Sequence, residues 1–369
     1  MGTPDFAVSA LKALVADGHE VVCAVTQPDK PKGRGKKMQF PPVKEAAQKA
    51  GIPVEQPQRV RGNEEFLAKM EALRPDVIVV AAYGQILPQR LLDIPACGCI
   101  NIHASLLPKY RGASPIQNAI LAGETVTGIT TMRMDAGLDT GDIIEQREIP
   151  IAADETGGSL HDRLAELGGE LILSTLKKIG EGTAQYAKQD DAAATHCGKI
   201  AKQTGALDFT KSAAELERQI RALDPWPGTF TCIGDRNIKV WSAEVSAEDN
   251  VPENNVGDGQ NQGRNQSFGT TAGADAKRDG TAIAGADAKQ EDGADSGSES
   301  NPEIRTGAEE KTPGEVVGFG FAPYAKDRIL VQTGDGILAI RELQPEGKRR
   351  MAADAYLRGY PVELHARLG

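Results

Sequence analysis

Cys99–Gly112 reads CINIHASLLPKYRG. Its opening, Gly98–His103, is a short apolar run interrupted by Asn101 and closed by His103. Two similar runs precede it, Glu20–Thr26 and Asp76–Ala82. Runs of this length, apolar on both faces, are the pattern of strands buried inside a parallel sheet. Helical spacing occurs between and after them, at Phe6–Ala16, Pro42–Ala50, Asn63–Leu73 and Ser114–Leu121. Strand and helix alternating at this interval predict an α/β fold, a doubly wound, mainly parallel, Rossmann-like sheet. Strands over Thr127–Met134 and Asp142–Ile149 and a helix over Gly158–Ile179 complete a first domain, residues 1–182.

Beyond it the texture changes. Residues 183–200 read as a linker, and 201–369 as a second domain. A helix over Ala213–Ala222 precedes DPWPGTF, Asp224–Phe230, whose two prolines exclude regular helix. Short strands follow at Thr229–Ile233, Ile238–Val245, Glu315–Phe321, Arg328–Thr333 and Gly336–Leu343. Five short strands with Gly and Asp turns predict a small OB-like β-barrel. Residues 246–312 interrupt it. They hold no Leu, Met, Trp, Tyr or Cys and repeat AGADAK at Ala272–Lys277 and Ala284–Lys289. A segment of that composition cannot bury enough to offset its ordering entropy, so a low-complexity, acidic, disordered insertion is expected.

The net charge of −10 argues against a nucleic-acid partner until its distribution is read. Residues 246–312 hold 14 of the 52 acidic residues and 6 of the 42 basic ones, leaving 38 against 36 elsewhere. The rest of the chain is close to neutral. Five scattered cysteines, Cys23, Cys97, Cys99, Cys197 and Cys232, fit a reducing compartment better than a disulfide framework. With no apolar run of membrane-spanning length and no signal-like opening, a cytoplasmic location and no membrane partner are expected.

On a strand, Asn101 and His103 share a face with Cα atoms about 7 Å apart. They sit at the C-terminal end of a central strand, where open α/β sheets place their sites. An amide donates to a developing oxyanion, and an imidazole donates to it or relays a proton. The nearest carboxylates to complete the set lie in DAGLDTGD, Asp135–Asp142. Cys97, Cys99 and His103 lack the CxxC spacing or second histidine of a metal site, so no metal is expected. Gly2-Thr3-Pro4 carries neither a dinucleotide nor a Walker fingerprint. A lone N-x-H can equally be structural. QPDKPKGRGKK, Gln27–Lys37, concentrates Lys30, Lys32, Arg34, Lys36 and Lys37 among Pro and Gly. It predicts a mobile cationic loop, neither helix nor strand, suited to phosphate backbones. Lys348-Arg349-Arg350 is a weaker cluster after the last strand.

Taken in order, MGTPDFAV, TQPDKPKGRGKK, AAYGQILP, NIHASLLPKYRGASPIQ, DAGLDTGD, DPWPGTF and LQPEGKRRM resemble the methionyl-tRNA formyltransferases. NIHASLLP with DTGD marks the wider formyl-folate transferase superfamily; the opening, the basic loop and the C-terminal region narrow it. The resemblance implies formyl transfer from 10-formyltetrahydrofolate to methionyl initiator tRNA. It implies Asn101, His103 and Asp139 as the catalytic residues. Ser105, Leu106, Leu107 and Pro108 correspond to the folate-binding element, with Tyr83, Gln85, Ile86 and Leu87 along the pterin ring. The basic loop, through Lys30, Lys32, Arg34, Lys36 and Lys37, corresponds to the segment entering the tRNA acceptor stem. Lys348, Arg349 and Arg350 add to the tRNA surface of the barrel. The expected partners are tRNA and folate, not DNA, with the protein a monomer.

Two departures stand out. The family carries an apolar strand before GTPDFA, whereas this sequence opens almost at the turn, so a sheet lacking its first strand is expected. The acidic insertion is not part of the usual barrel. Two other readings remain open: a formyltransferase acting on glycinamide ribonucleotide or an amino sugar, and a catalytically silent tRNA- or single-strand-binding protein using Trp226, Trp241 and Tyr324 for stacking.

Overall fold

A computed structural model describes residues 1–32, 37–246, 311–320 and 327–369. Arg34, Lys36, Tyr324 and nearly all of the expected insertion lie outside the described residues, as do the side chains of Lys32 and Lys37.

The first half contains helices α1 (Asp5–Ala16), α2 (Pro42–Lys49), α3 (Glu64–Leu73), α4 (Gln89–Leu92), α5 (Pro115–Leu121) and α6 (Gly157–Gly180). Among them run strands β1 (Ala24–Val25), β2 (Lys30–Lys32), β3 (Lys37–Gln39), β4 (Val54–Glu55), β5 (Ile78–Val80), β6 (Cys99–His103), β7 (Arg111–Gly112), β8 (Val126–Arg133) and β9 (Ile143–Pro150). Local chemistry sets several helix starts. Asn63 accepts from the Phe66 amide ahead of α3, and Thr156 with Ser159 forms a capping box on α6.

The main sheet has the order β5-β6-β8-β9: parallel at β5/β6, antiparallel at β6/β8 and β8/β9. β1 and β4 form a separate parallel pair. Alternation along β6 sends Ile100 and Ile102 into a core with α1 and α6, while Cys99 joins a second core with α3 and α4. The sheet is thus covered on both faces, as the doubly wound reading requires. Gly168 and Gly169 let α6 come close: a Cβ at Gly168 would lie 2.9 Å from Ile102 Cγ2, and one at Gly169 3.2 Å from the Ser9 carbonyl oxygen.

Among the described residues β1 and β5 are not paired with each other. Of the strand expected over Glu20–Thr26, only Ala24 and Val25 are laddered, because pairing needs a neighbour and β4 supplies two residues of one. At the top of the gap the Gly2 amide donates to the Val25 carbonyl and the Ala81 amide to the Met1 carbonyl, both at 2.9 Å. Below lies a cavity of about 600 Å³ lined by residues such as Val21, Cys23, Val77 and Val79.

The basic loop is a correction. Lys30–Lys32 and Lys37–Gln39 pair as a two-stranded antiparallel ribbon, Lys30 opposite Gln39 and Pro31 opposite Met38. Proline blocks helix and central strands but is tolerated in an edge ribbon.

The second half contains β10 (His196–Cys197), α7 (Ala213–Ala222), β11 (Thr229–Ile233), β12 (Arg236–Ser246), β13 (Val316–Gly318), β14 (Ile329–Gln332), β15 (Ile337–Pro345), β16 (Met351–Ala352) and α8 (Ala353–Gly359). Five strands run β11-β12-β15-β14-β13, all antiparallel, with β16 added to β15. A register shift between Val240 and Ala243 bends β12. The chain's last residues join the edges of this curled sheet: Leu368 bridges to Ile233 at the end of β11, and Arg367 to Glu315 just before β13. Leu216, Ile220, Ile238, Val240, Ile329, Val331, Leu338 and Tyr356 fill its interior.

Candidate active site

β6 ends in the residues the sequence singled out. Asn101 and His103 share the parity of Cys99, on the α3 and α4 side, and both are buried. The turn after β8 brings Asp139 to meet them. Asn101 Nδ2 lies 3.5 Å from Asp139 Oδ1, and His103 Nδ1 lies 3.8 Å from Asp139 Oδ2. Both separations exceed those of a tight hydrogen bond, as catalytic groups commonly do before substrate draws them together. His103 Nε2 donates to the Tyr110 carbonyl at 3.0 Å, fixing the ring plane. Asp139 holds a left-handed backbone, φ +54°, and its Oδ2 accepts the Gly112 amide at 2.8 Å. An amide and an imidazole therefore converge on one carboxylate at the C-terminal end of a central strand.

SLLP turns the chain immediately after this strand. Ser105 is fully buried and donates to the Lys109 carbonyl at 2.6 Å, while the Leu107–Pro108 peptide is cis. Leu107 is buried and its amide is bonded to Thr130 Oγ1; the side chains of Leu106 and Pro108 are half-buried. Of the Tyr83–Leu87 loop, Tyr83 and Leu87 pack into the α3/α4 core, and burial pushes the Tyr83 hydroxyl up to about 12. Gln85 Oε1 accepts the Val60 amide at 3.0 Å. Ile86 alone of the four points outward, 77 % exposed. The side chains of Tyr83 and Leu87 thus anchor the loop to this core.

The expected cations divide likewise. Lys30 is exposed on the ribbon, and Lys348 and Arg349 are exposed after β15. Arg350 is engaged: it pairs with Glu342 and Asp224 and lies 5.4 Å from the Trp241 ring centroid. Trp226 is exposed in the connector, whereas Trp241 Nε1 donates to Gln344. Among the described residues, no three His, Cys, Asp or Glu side chains are placed to share a metal ion, and no helix is long and apolar enough to cross a membrane.

One element escaped the sequence reading. The segment expected as a linker lies along the site: β10 pairs in parallel with β7, Cys197 opposite Gly112. The Thr195 carbonyl takes the Arg111 amide and its Oγ1 takes the Tyr110 amide, both at 2.8 Å. A Cβ on Gly112 would fall 2.1 Å from the Cys197 carbonyl oxygen, so glycine is required there. No periodicity marks a two-residue strand, and the sole hint was the glycine in KYRG.

The formyl transferase family matches residues 1–176, and the formyl transferase C-terminal domain matches 199–289 and 296–361. Methionyl-tRNA formyltransferase of Lachnospira eligens is 42% identical over 369 residues, 100% of this chain and 98% of that protein. The chain belongs to the methionyl-tRNA formyltransferase family. The namesake of Geobacter metallireducens is 41% identical, with coverage of 100% and 97%. Family membership makes the chain a one-carbon formyl transferase, and the open reading of a silent binding protein loses its ground. Among solved structures, a sugar 3N-formyl transferase, WlaRD, superposes with a TM-score of 0.55 at 17% identity, covering 94% of this chain and 97% of its own. An N-formyltransferase from Helicobacter canadensis gives 0.54 at 16%, covering 93% and 97%. Likenesses at that identity speak for the fold, a two-part formyltransferase architecture.

Proposed function

We propose that this enzyme moves the formyl group of 10-formyltetrahydrofolate onto the α-amino group of methionyl initiator tRNA, with Asn101, His103 and Asp139 carrying the chemistry. The observation that carries the reading is the convergence of the Asn101 amide and the His103 imidazole on the Asp139 carboxylate. Full-length relatives named methionyl-tRNA formyltransferase support the acceptor. The Helicobacter canadensis protein, solved with folinic acid, supports a folate donor.

The chemistry needs three things of these side chains. The neutral amine attacks the formyl carbon, the C–O π pair moves onto oxygen, and a tetrahedral oxyanion forms. Asn101 donates to that oxygen through Nδ2 and His103 through Nδ1–H, its Nε2–H being held by the Tyr110 carbonyl, in a buried setting where each donor counts for more than in water. The attacking nitrogen loses a proton, which Asp139 accepts directly or through the imidazole it orients. Collapse then breaks the bond to the folate nitrogen, which takes a proton as it leaves. Lys30 and its neighbours on the ribbon, with Lys348 and Arg349, would meet phosphates. The enzyme works as a cytoplasmic monomer in this reading.

Single-turnover transfer of labelled formyl to methionyl initiator tRNA tests the assignment. We expect transfer to this acceptor and none to glycinamide ribonucleotide or a free amino sugar; the reverse preference sinks it.

A further inference from the structure

Two side chains of the joining segment reach the Asp139 turn: Lys188 pairs with Asp142 at its exposed end, and Gln189, which no comparison assigns, bonds the main chain of Asp139 itself. We propose that Gln189 is a positioning residue for formyl transfer, holding the Asp139 turn so that its carboxylate faces Asn101 and His103. The inference rests on the reading of Asp139 given above.

Gln189 Nε2 donates to the Asp139 carbonyl at 2.8 Å and to the Gly141 carbonyl at 2.7 Å. Its Oε1 accepts from Arg111 Nε at 3.0 Å and from Arg111 Nη2 at 2.9 Å. An arginine only donates and a carbonyl only accepts, so the amide has one possible orientation and uses it fully. The next residue, Gly112, gives its amide to Asp139 Oδ2. A closed ring results: Asp139 main chain, Gln189, Arg111, Gly112, Asp139 side chain. Such a ring determines where the carboxylate points. It also holds Asp139 in its left-handed backbone, a conformation aspartate visits only with local support. Arg111 is only 4 % exposed, and its anionic partner, Asp191, is largely in solvent. Without Gln189 the buried guanidinium loses two of these three bonds and keeps the one to Asp191.

The same segment touches the imidazole's support. Thr195 Oγ1 accepts the Tyr110 amide, and the Tyr110 carbonyl accepts from His103 Nε2. The joining segment therefore sets the position of both partners of the pair.

The test compares Gln189→Met, which removes every bond of the amide, with Gln189→Glu, which keeps its shape and the Arg111 contact but turns an acceptor toward the two carbonyls. Steady-state transfer from 10-formyltetrahydrofolate to methionyl-tRNA should show kcat lower by about 10- to 100-fold in both, with each KM within about twofold. In an Asp139→Asn background, Gln189→Met should cost less than about threefold, because the group it positions is already disabled. A residue that only stabilises the fold lowers the melting temperature but leaves kcat at temperatures well below it. Gln189→Met within about threefold of the parent, or its full cost retained beside Asp139→Asn, overturns the inference. If Gln189→Met cannot be recovered folded, Gln189→Glu carries the same thresholds. Asp139→Asn alone separates the levels. At parental rate it removes the role of Asp139 and this inference with it, whereas slow Asp139→Asn beside fast Gln189 variants removes only the role of Gln189.

Discussion

Gly112→Ala is the smallest change that should disable the site without touching a catalytic side chain. A Cβ there would lie 2.1 Å from the Cys197 carbonyl oxygen, where ordinary contact begins at 3.4 Å. The obstacle is main chain on β10, so β7 and β10 must separate by about 1 Å. A displacement of that size near reacting groups is enough for a rate loss of about 100-fold. Separation weakens the Arg111 amide bond to Thr195 and the Ala113 amide bond to Cys197, 2.8 and 3.1 Å. Each is worth about 1 kcal/mol. Gly112 also sits at φ +124°, a backbone that costs alanine about 1–3 kcal/mol. The total, about 3–5 kcal/mol, corresponds to a melting temperature lower by roughly 4–7 °C for a chain of this size. The assay is kcat for formyl transfer at a temperature where circular dichroism shows the variant folded. A folded Gly112→Ala enzyme within threefold of the parent rate would refute the claim that β10 sets the position of the Asp139 carboxylate.

Three further outcomes follow from the packing and the charges. Leu368 is buried where the chain end meets Gly314 and Ile233, so Leu368→Ala should destabilise by about 2–4 kcal/mol, read by urea unfolding, while kcat of the folded enzyme stays unchanged. Burial pushes the Cys99 thiol up to about 12, so iodoacetamide at pH 8 should leave Cys99 unmodified in the native enzyme and modify it after denaturation, as mass spectrometry of the peptides reads. The Tyr110 hydroxyl bond, with Lys109 nearby, holds the Glu124 carboxyl below its ordinary range. A carboxyl lowered on folding adds stability that is complete above its unfolded pKa and is lost as pH falls through the folded value. Melting temperature should therefore fall less steeply below about pH 4.5 in Tyr110→Phe than in the parent.

What the sequence made legible was mostly local. α7 and β11 occupy the residues expected, because a Ser-Glu capping box starts the one and the prolines of DPWPGTF confine the start of the other. The shared face of Asn101 and His103 follows from strand alternation alone. The resemblance, not the spacing, selected Asp139 among the carboxylates of its turn, and the geometry of that turn is consistent with the choice. What stayed hidden was non-local. β1 is short because its neighbour on one side is a cavity, and no property of Glu20–Thr26 records that. Tyr83 and Leu87 pack into the α3/α4 core, and an apolar side chain in a loop gives no sign of which face it turns to the core. The ribbon of Lys30–Lys32 with Lys37–Gln39 depends on a partner that propensity does not see. Gln189 lies in a stretch without periodicity, and only its hydrogen bonds to Arg111 and the Asp139 turn reveal it.

The central claim is that Asn101 and His103 stabilise an oxyanion that forms only during transfer. Single-turnover transfer by Asn101→Ala, with saturating 10-formyltetrahydrofolate and methionyl initiator tRNA, tests it most directly. Loss of one such donor should slow transfer by roughly 100- to 1,000-fold, with tRNA affinity changed by less than about threefold. Transfer at the parental rate, or a loss that appears entirely as weaker tRNA binding, would contradict the account.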